Sequence, residues 1–177
     1  MQEIWLEIWS AARSEFADIP DWGEATRIVL RLGMAVLLGG LLGFERESKG
    51  KAAGLRTHML VALGAAIFVL VPLQGGMQVG DLSRVLQGVI AGIGFLGAGA
   101  IIKLGGEREI KGLTTSASIW MTAAIGVAAG MGREATAVAS TLIALFVLAV
   151  LRRAEMRIGT HGEPRATDGA DGGRKRP

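Results

Sequence analysis

Cysteine is absent from all 177 residues. That excludes a disulfide scaffold and any thiolate metal site, and leaves the redox compartment open. Carboxylates are missing from the middle of every long apolar run. A proton-coupled carrier or a divalent-cation channel needs a buried acid at depth, so this second absence speaks against both. No cluster has the spacing of a metal site. Thr114, Thr115 and Ser116 have no base nearby except Lys111 and the distant His58, so no nucleophile–base–acid set can be assembled. Neither an enzyme nor a cofactor nor a bound metal is expected.

What the chain has is apolar surface. Half of its residues are hydrophobic and 27 are glycine, whereas soluble domains carry about 45–50% for the two together. A soluble domain of this size would have to expose much of that surface to water. Windows of about 19 residues find five spans near the length of a bilayer crossing: Ala25–Phe44, Leu55–Leu73, Ser83–Ile102, Leu113–Met131 and Ala135–Leu151. They are apolar all round rather than amphipathic, which separates them from the buried helices of a soluble bundle. Arg27 and Arg31 lie in the opening turns of the first and are read as snorkelling to the interface. The expected fold is an all-α polytopic membrane protein with five transmembrane helices.

Lysine and arginine set its orientation. The loops after the first and third spans and the segment after the fifth hold 14 of the 19 Lys and Arg residues, and the other side holds five. The N-terminus is therefore expected outside and the C-terminus in the cytoplasm of the bacterial inner membrane. Residues 1–24 read as an amphipathic interfacial helix carrying Trp5 and Trp9 beside Glu3 and Glu7. Without a basic first segment and an unbroken apolar stretch, it is not a cleavable signal. Residues 25–152 form the membrane domain. Residues 153–177 read as a basic, disordered cytoplasmic tail, with no soluble domain after it.

Gly92, Gly94 and Gly97 spell the glycine pattern of a dinucleotide loop, yet they lie inside an apolar span, and the position about twenty residues on is Ala117 rather than an acid. Close helix packing explains them better. Gly39 with Gly43, Gly88 with Gly92, and Gly126 with Gly130 are spaced four apart, as small residues are where membrane helices touch. With Gly94, Gly97 and Gly99 added, the third span is expected to be the central, most tightly packed helix; the other reading is that its glycines break it at a substrate site.

Polar residues gather at one end of the spans. Glu45, Arg46 and Glu47 end the first, Arg56, Thr57 and His58 begin the second, and Lys111, Thr114, Thr115, Ser116 and Ser118 open the fourth. Charges there mark the membrane boundary, and hydroxyls cap helices or bond across them. Glu45 is expected to face Arg56 or Lys111 as an ion pair at low dielectric, a costly arrangement that serves specificity or function more than stability. Asp81 is placed to cap the third span.

The stretches GLLGFERE (40–47), AGLRT (53–57), GIGFLGAG (92–99) and GLTTSASIW (112–120) closely resemble the MgtC/SapB family of bacterial inner-membrane proteins. The resemblance covers about residues 25–151. It implies a five-helix membrane domain with a cytoplasmic C-terminus. In some members it also implies survival under magnesium limitation, through binding and restraint of the membrane-embedded F-type ATP synthase. Many members carry Asn at the position of Thr114 and Ala at that of Ser116. They also have Asp-Pro-x-Arg where this chain reads DLSR (81–84), and virulence-type members continue into a soluble ACT-like domain. The combined expectation is a non-enzymatic adaptor that contacts the lipid bilayer and a membrane-protein partner or a second copy of itself, and no nucleic acid. A small permease or channel is the rival.

Overall fold

A computed structural model describes the backbone of residues 2–15, 21–103 and 110–159, and the side chains of 2–15, 21–101 and 111–150. Its helices are α1 (Gln2–Glu15), α2 (Trp22–Ser48), α3 (Leu55–Gln74), α4 (Leu82–Gly99), α5 (Leu113–Gly130) and α6 (Glu134–Gly159). Residues 1–145 make one compact unit. The second unit starts at Phe146, and its described part is the C-terminal stretch of α6.

Helix α1 forms over the expected spacing and buries none of its residues. Helix α2 starts at Asp21, whose extended backbone lets its carboxylate accept from the Glu24 N–H at 2.8 Å, satisfying one open donor of the first turn. Arg27 pairs with Glu24 at 2.8 Å on the exposed opening turns. Further along, Ala35, Leu38, Gly39, Leu42, Gly43 and Arg46 recur at helical spacing and form the buried face. Pro72 falls in the last turn of α3 and lacks the N–H that would bond to the Phe68 carbonyl, close to where the helix ends. The Met77 N–H then returns to the Pro72 carbonyl at 3.0 Å.

Two expectations about α4 are corrected. A 3-10 turn over Val79–Asp81 feeds directly into the helix, so Asp81 already has helical backbone angles and makes no side-chain cap; an N-cap needs an extended residue. Helix α4 also ends at Gly99 rather than Ile102. Beyond it Ile102 pairs with Lys111 and Lys103 with Ile110 in a two-residue antiparallel ladder, a small departure from a purely helical chain. Gly112 then opens α5 with φ +100, and a β-carbon there would run into the Ala100 carbonyl.

Helices α3 and α5, not α4, form the centre. Each packs against α2, α4 and the other, and half of the most apolar stretch of α5 and a third of that of α3 are buried, against 11% for α4. The expectation of a central third span is thus overturned. Only Leu82 and Gly97, at opposite ends of α4, are buried.

Among the described residues, four helices are long and apolar enough to cross a membrane: α2, α3, α5 and the segment Val79–Gly99. The described apolar part of α6, Glu134–Val150, is shorter. Helix α6 also continues through Gly159, past the expected start of a disordered tail at 153. Arg, Ala, Glu and Met in that stretch are good helix formers. The rest of the expected basic tail, 160–177, lies outside the described residues, as does the loop 104–109.

Candidate functional site

The polar residues at the α2–α3 and α4–α5 ends divide into a buried joint and a surface group. Arg46 closes the buried stripe of α2 and is 3% exposed. Its carbonyl accepts from the N–H groups of Lys49 and Lys51, tying the following turn to the helix end. The Glu45 carboxylate lies 3.9 Å from the Arg46 guanidinium. The expected pairing with Arg56 across the loop is corrected: Arg56 is exposed, because residue 56 points away from the α3 face that holds His58 and Ala62.

His58 is fully buried, and both ring nitrogens have partners. Nδ1 is 2.9 Å from the Gly54 carbonyl, and Nε2 is 3.2 Å from the Ser118 hydroxyl of α5. Ser118 Oγ lies 2.8 Å from the Thr115 carbonyl, and Thr122 Oγ1 donates to the Ser118 carbonyl at 2.8 Å. Thr115, Ser118 and Thr122 fall on one helical face, and all three are buried. Thr114 and Lys111 are exposed and Thr57 is half-buried. Of the eight expected polar residues, the structure brings Arg46, His58 and Thr115 inside with Glu45 at their edge. Arg56, Thr57, Lys111 and Thr114 stay nearer the surface.

Two residues that the sequence placed at these span ends, without a specific partner, complete the arrangement. Ser118 is the hydroxyl that joins α5 to α3, and its spacing from Thr115 and Thr122 was the available signal. Glu47 reaches past the loop to accept from the Leu55 N–H at 2.7 Å. It thereby caps α3, whose N-cap Gly54 has no side chain to do so. A β-carbon on Gly54 would sit 2.6 Å from the Glu47 carboxylate. Glu47, Lys51, Arg56 and Thr57 line a shallow polar depression around this loop.

The glycines also divide. A β-carbon at Gly39 would lie 2.7 Å from the His58 carbonyl, and one at Gly43 2.7 Å from the Leu55 Cα. One at Gly97 would meet Ser116 Oγ at 2.5 Å, whereas at Gly126 and Gly130 it would strike the carbonyls of Ala62 and Ala66. These five are close contacts inside the chain. Gly88, Gly92, Gly94 and Gly99 are not: nothing lies within 4 Å of a β-carbon built on any of them. Their expected role in packing this chain is corrected, because α4 is held to the bundle at its two ends and stands off between them. Gly88, Gly92 and Ile93 of α4 face Gly64, Ala65 and Phe68 of α3 across an apolar groove of about 480 Å³. A second groove of about 240 Å³, including Ile90 and Trp120, separates α4 from α5.

The chain is similar to proteins of known name. SrpB of Synechococcus elongatus is 40% identical over 142 residues, 74% of this chain and 78% of that protein. MgtC of Salmonella typhimurium is 42% identical over 130 residues, covering 73% of this chain and 54% of its own length. YhiD of Escherichia coli, whose name assigns it provisionally to magnesium transport, is 39% identical over 137 residues, or 73% of this chain and 63% of its own. The chain thus spans little more than half of MgtC and under two thirds of YhiD. No solved structure matches it significantly. The family model for the MgtC family matches residues 32–157, which take in the buried joint, the close glycines and the open face of α4; the chain belongs to the MgtC family.

Proposed function

We propose that this protein is a non-enzymatic, multi-pass protein of the bacterial inner membrane that regulates a membrane partner by helix–helix contact. In this reading α6 is the fifth crossing, the N-terminus lies outside, the C-terminus lies in the cytoplasm, and α1 rests in the outer interface. The lysine and arginine distribution supports the orientation. The exposed Trp5 and Trp9 support the interfacial helix.

The observation that carries the reading is that four glycines of α4, three of them (Gly88, Gly92 and Gly99) on one helical face, meet nothing in the chain. In lipid, small residues matter because they let backbones approach closely. The glycines of α2 and α5 do this inside the chain, while Gly88, Gly92, Gly94 and Gly99 do not. Phe95 on the same helix is 85% exposed, so α4 offers small residues beside a large apolar one. The F-type ATP synthase is the partner that family resemblance suggests, and a second copy of the chain is the other. A link to magnesium limitation comes from the same resemblance and from the relatives' names.

The experiment is Gly92→Leu in the native membrane. Because nothing lies within 4 Å of a β-carbon at residue 92, the variant is expected to fold and to lose its co-purifying membrane complex. Retention of the complex contradicts the adaptor reading. Liposome flux of Mg²⁺, K⁺ or protons that disappears on Glu45→Gln would favour the permease instead. Against the permease stands the lining of the larger groove, which contains no polar side chain.

A further inference from the structure

In the joint between α3 and α5, each ring nitrogen of His58 meets a group able to accept a hydrogen. The Gly54 carbonyl only accepts, so His58 Nδ1 must carry a proton. The Thr115 carbonyl also only accepts, so the single hydroxyl proton of Ser118 is committed to it in the observed geometry. Ser118 Oγ can then meet His58 Nε2 only as an acceptor, which requires a proton on that nitrogen as well. All three side-chain contacts are made together when the imidazole is doubly protonated. With a neutral ring, the Ser118 hydroxyl must turn from Thr115 to Nε2, and one bond is given up.

We propose that His58 is a proton-binding site whose occupancy sets the direction of the Ser118 hydroxyl and thereby the strength of the α3–α5 joint. The charged groups facing it come from α2, where Glu45 and Arg46 act electrostatically on the ring. Helix α5 contains no ionisable residue, and the one on α4, Arg84, sits in its first turn at the opposite end from Gly97, where that helix meets α5. Glu45 and Arg46 carry opposite charges 3.9 Å apart, so a proton on the ring adds a further positive charge beside them. The joint also bears on α2, because Gly39 and Gly43 close on the backbone and Cβ of His58. A proton taken up here is felt by three helices at once, and buried polar networks of this kind respond strongly to one changed member.

The test is nitrogen NMR of full-length protein in nanodiscs, with His161→Gln leaving His58 as the single imidazole. Between pH 8 and pH 5, Nδ1 is expected to stay protonated while Nε2 gains its proton in one step. In Ser118→Ala the midpoint of that step moves by about one pH unit, as expected for loss of one hydrogen bond to a charged group. An Nε2 signal that never changes over this range overturns the proposal. So does a titration that Ser118→Ala leaves in place, since it would sever the ring from the hydroxyl. Both readings come from folded protein, so neither depends on a His58 variant surviving.

Discussion

Gly126 of α5 lies so close to Ala62 of α3 that a β-carbon at 126 would sit 2.8 Å from the Ala62 Cα. Ala62 is met from α2 as well, where a β-carbon at Gly39 would come within 2.8 Å of its methyl. Helix α3 is therefore gripped between two glycine-bearing helices, and four small residues set the spacing: Gly39, Gly126, Gly130 and Ala62. Gly126→Ala should cost about 1–3 kcal/mol through overpacking, because the obstructing atoms are backbone and cannot rotate away. Thermal unfolding in detergent measures this, with Gly88→Ala, which meets nothing, as the neutral comparison.

Glu47→Gln keeps an acceptor for the Leu55 N–H, whereas Glu47→Ala removes it. The alanine variant should lose about 1 kcal/mol, the usual cost of removing a helix cap, and the glutamine variant less. Amide hydrogen exchange at the first turn of α3 reads the difference directly, with faster exchange at Leu55 in Glu47→Ala.

The turn between α5 and α6 depends on Gly132, whose φ is +71. The Arg31 guanidinium lies over it, 2.7 Å from where a β-carbon would be placed. Arg31 thus reaches the α5–α6 turn instead of merely lifting its charge to the interface. Gly132→Ala combines backbone strain with displacement of Arg31 and should destabilise by about 1 kcal/mol or more. Arg31→Ala in the same background should recover part of that loss, which a double-mutant cycle detects.

The helices were legible in the sequence because each apolar run is bounded by charged residues or glycine. Leu55 and Leu113 open their helices where the spans were expected to begin. The centre of the bundle was not legible. Gly39/Gly43, Gly88/Gly92 and Gly126/Gly130 share one spacing, and nothing local says whether a helix meets its own chain or something else. Hydropathy misleads here for a physical reason: in a bilayer the apolar surface faces the solvent. Helix α5 has the lowest mean hydropathy of the four spans, 1.2, and is the most buried. Its Thr115, Ser118 and Thr122 are affordable inside because they find partners there. The polar cluster was half legible. Its residues could be named, but whether a side chain points in or out depends on the helix face. The adjacent Thr114 and Thr115 show this, the first exposed and the second buried.

The central claim is that α4 turns its glycines toward another molecule while α5 turns its own toward α3. A photo-crosslinking amino acid at position 92, activated in native membranes, tests it most directly. The account predicts an adduct with a second polypeptide, migrating above the 18.5 kDa chain, and no such adduct from a probe at position 123 on α5, which is buried inside the chain. Label at position 92 attached to lipid alone would contradict it.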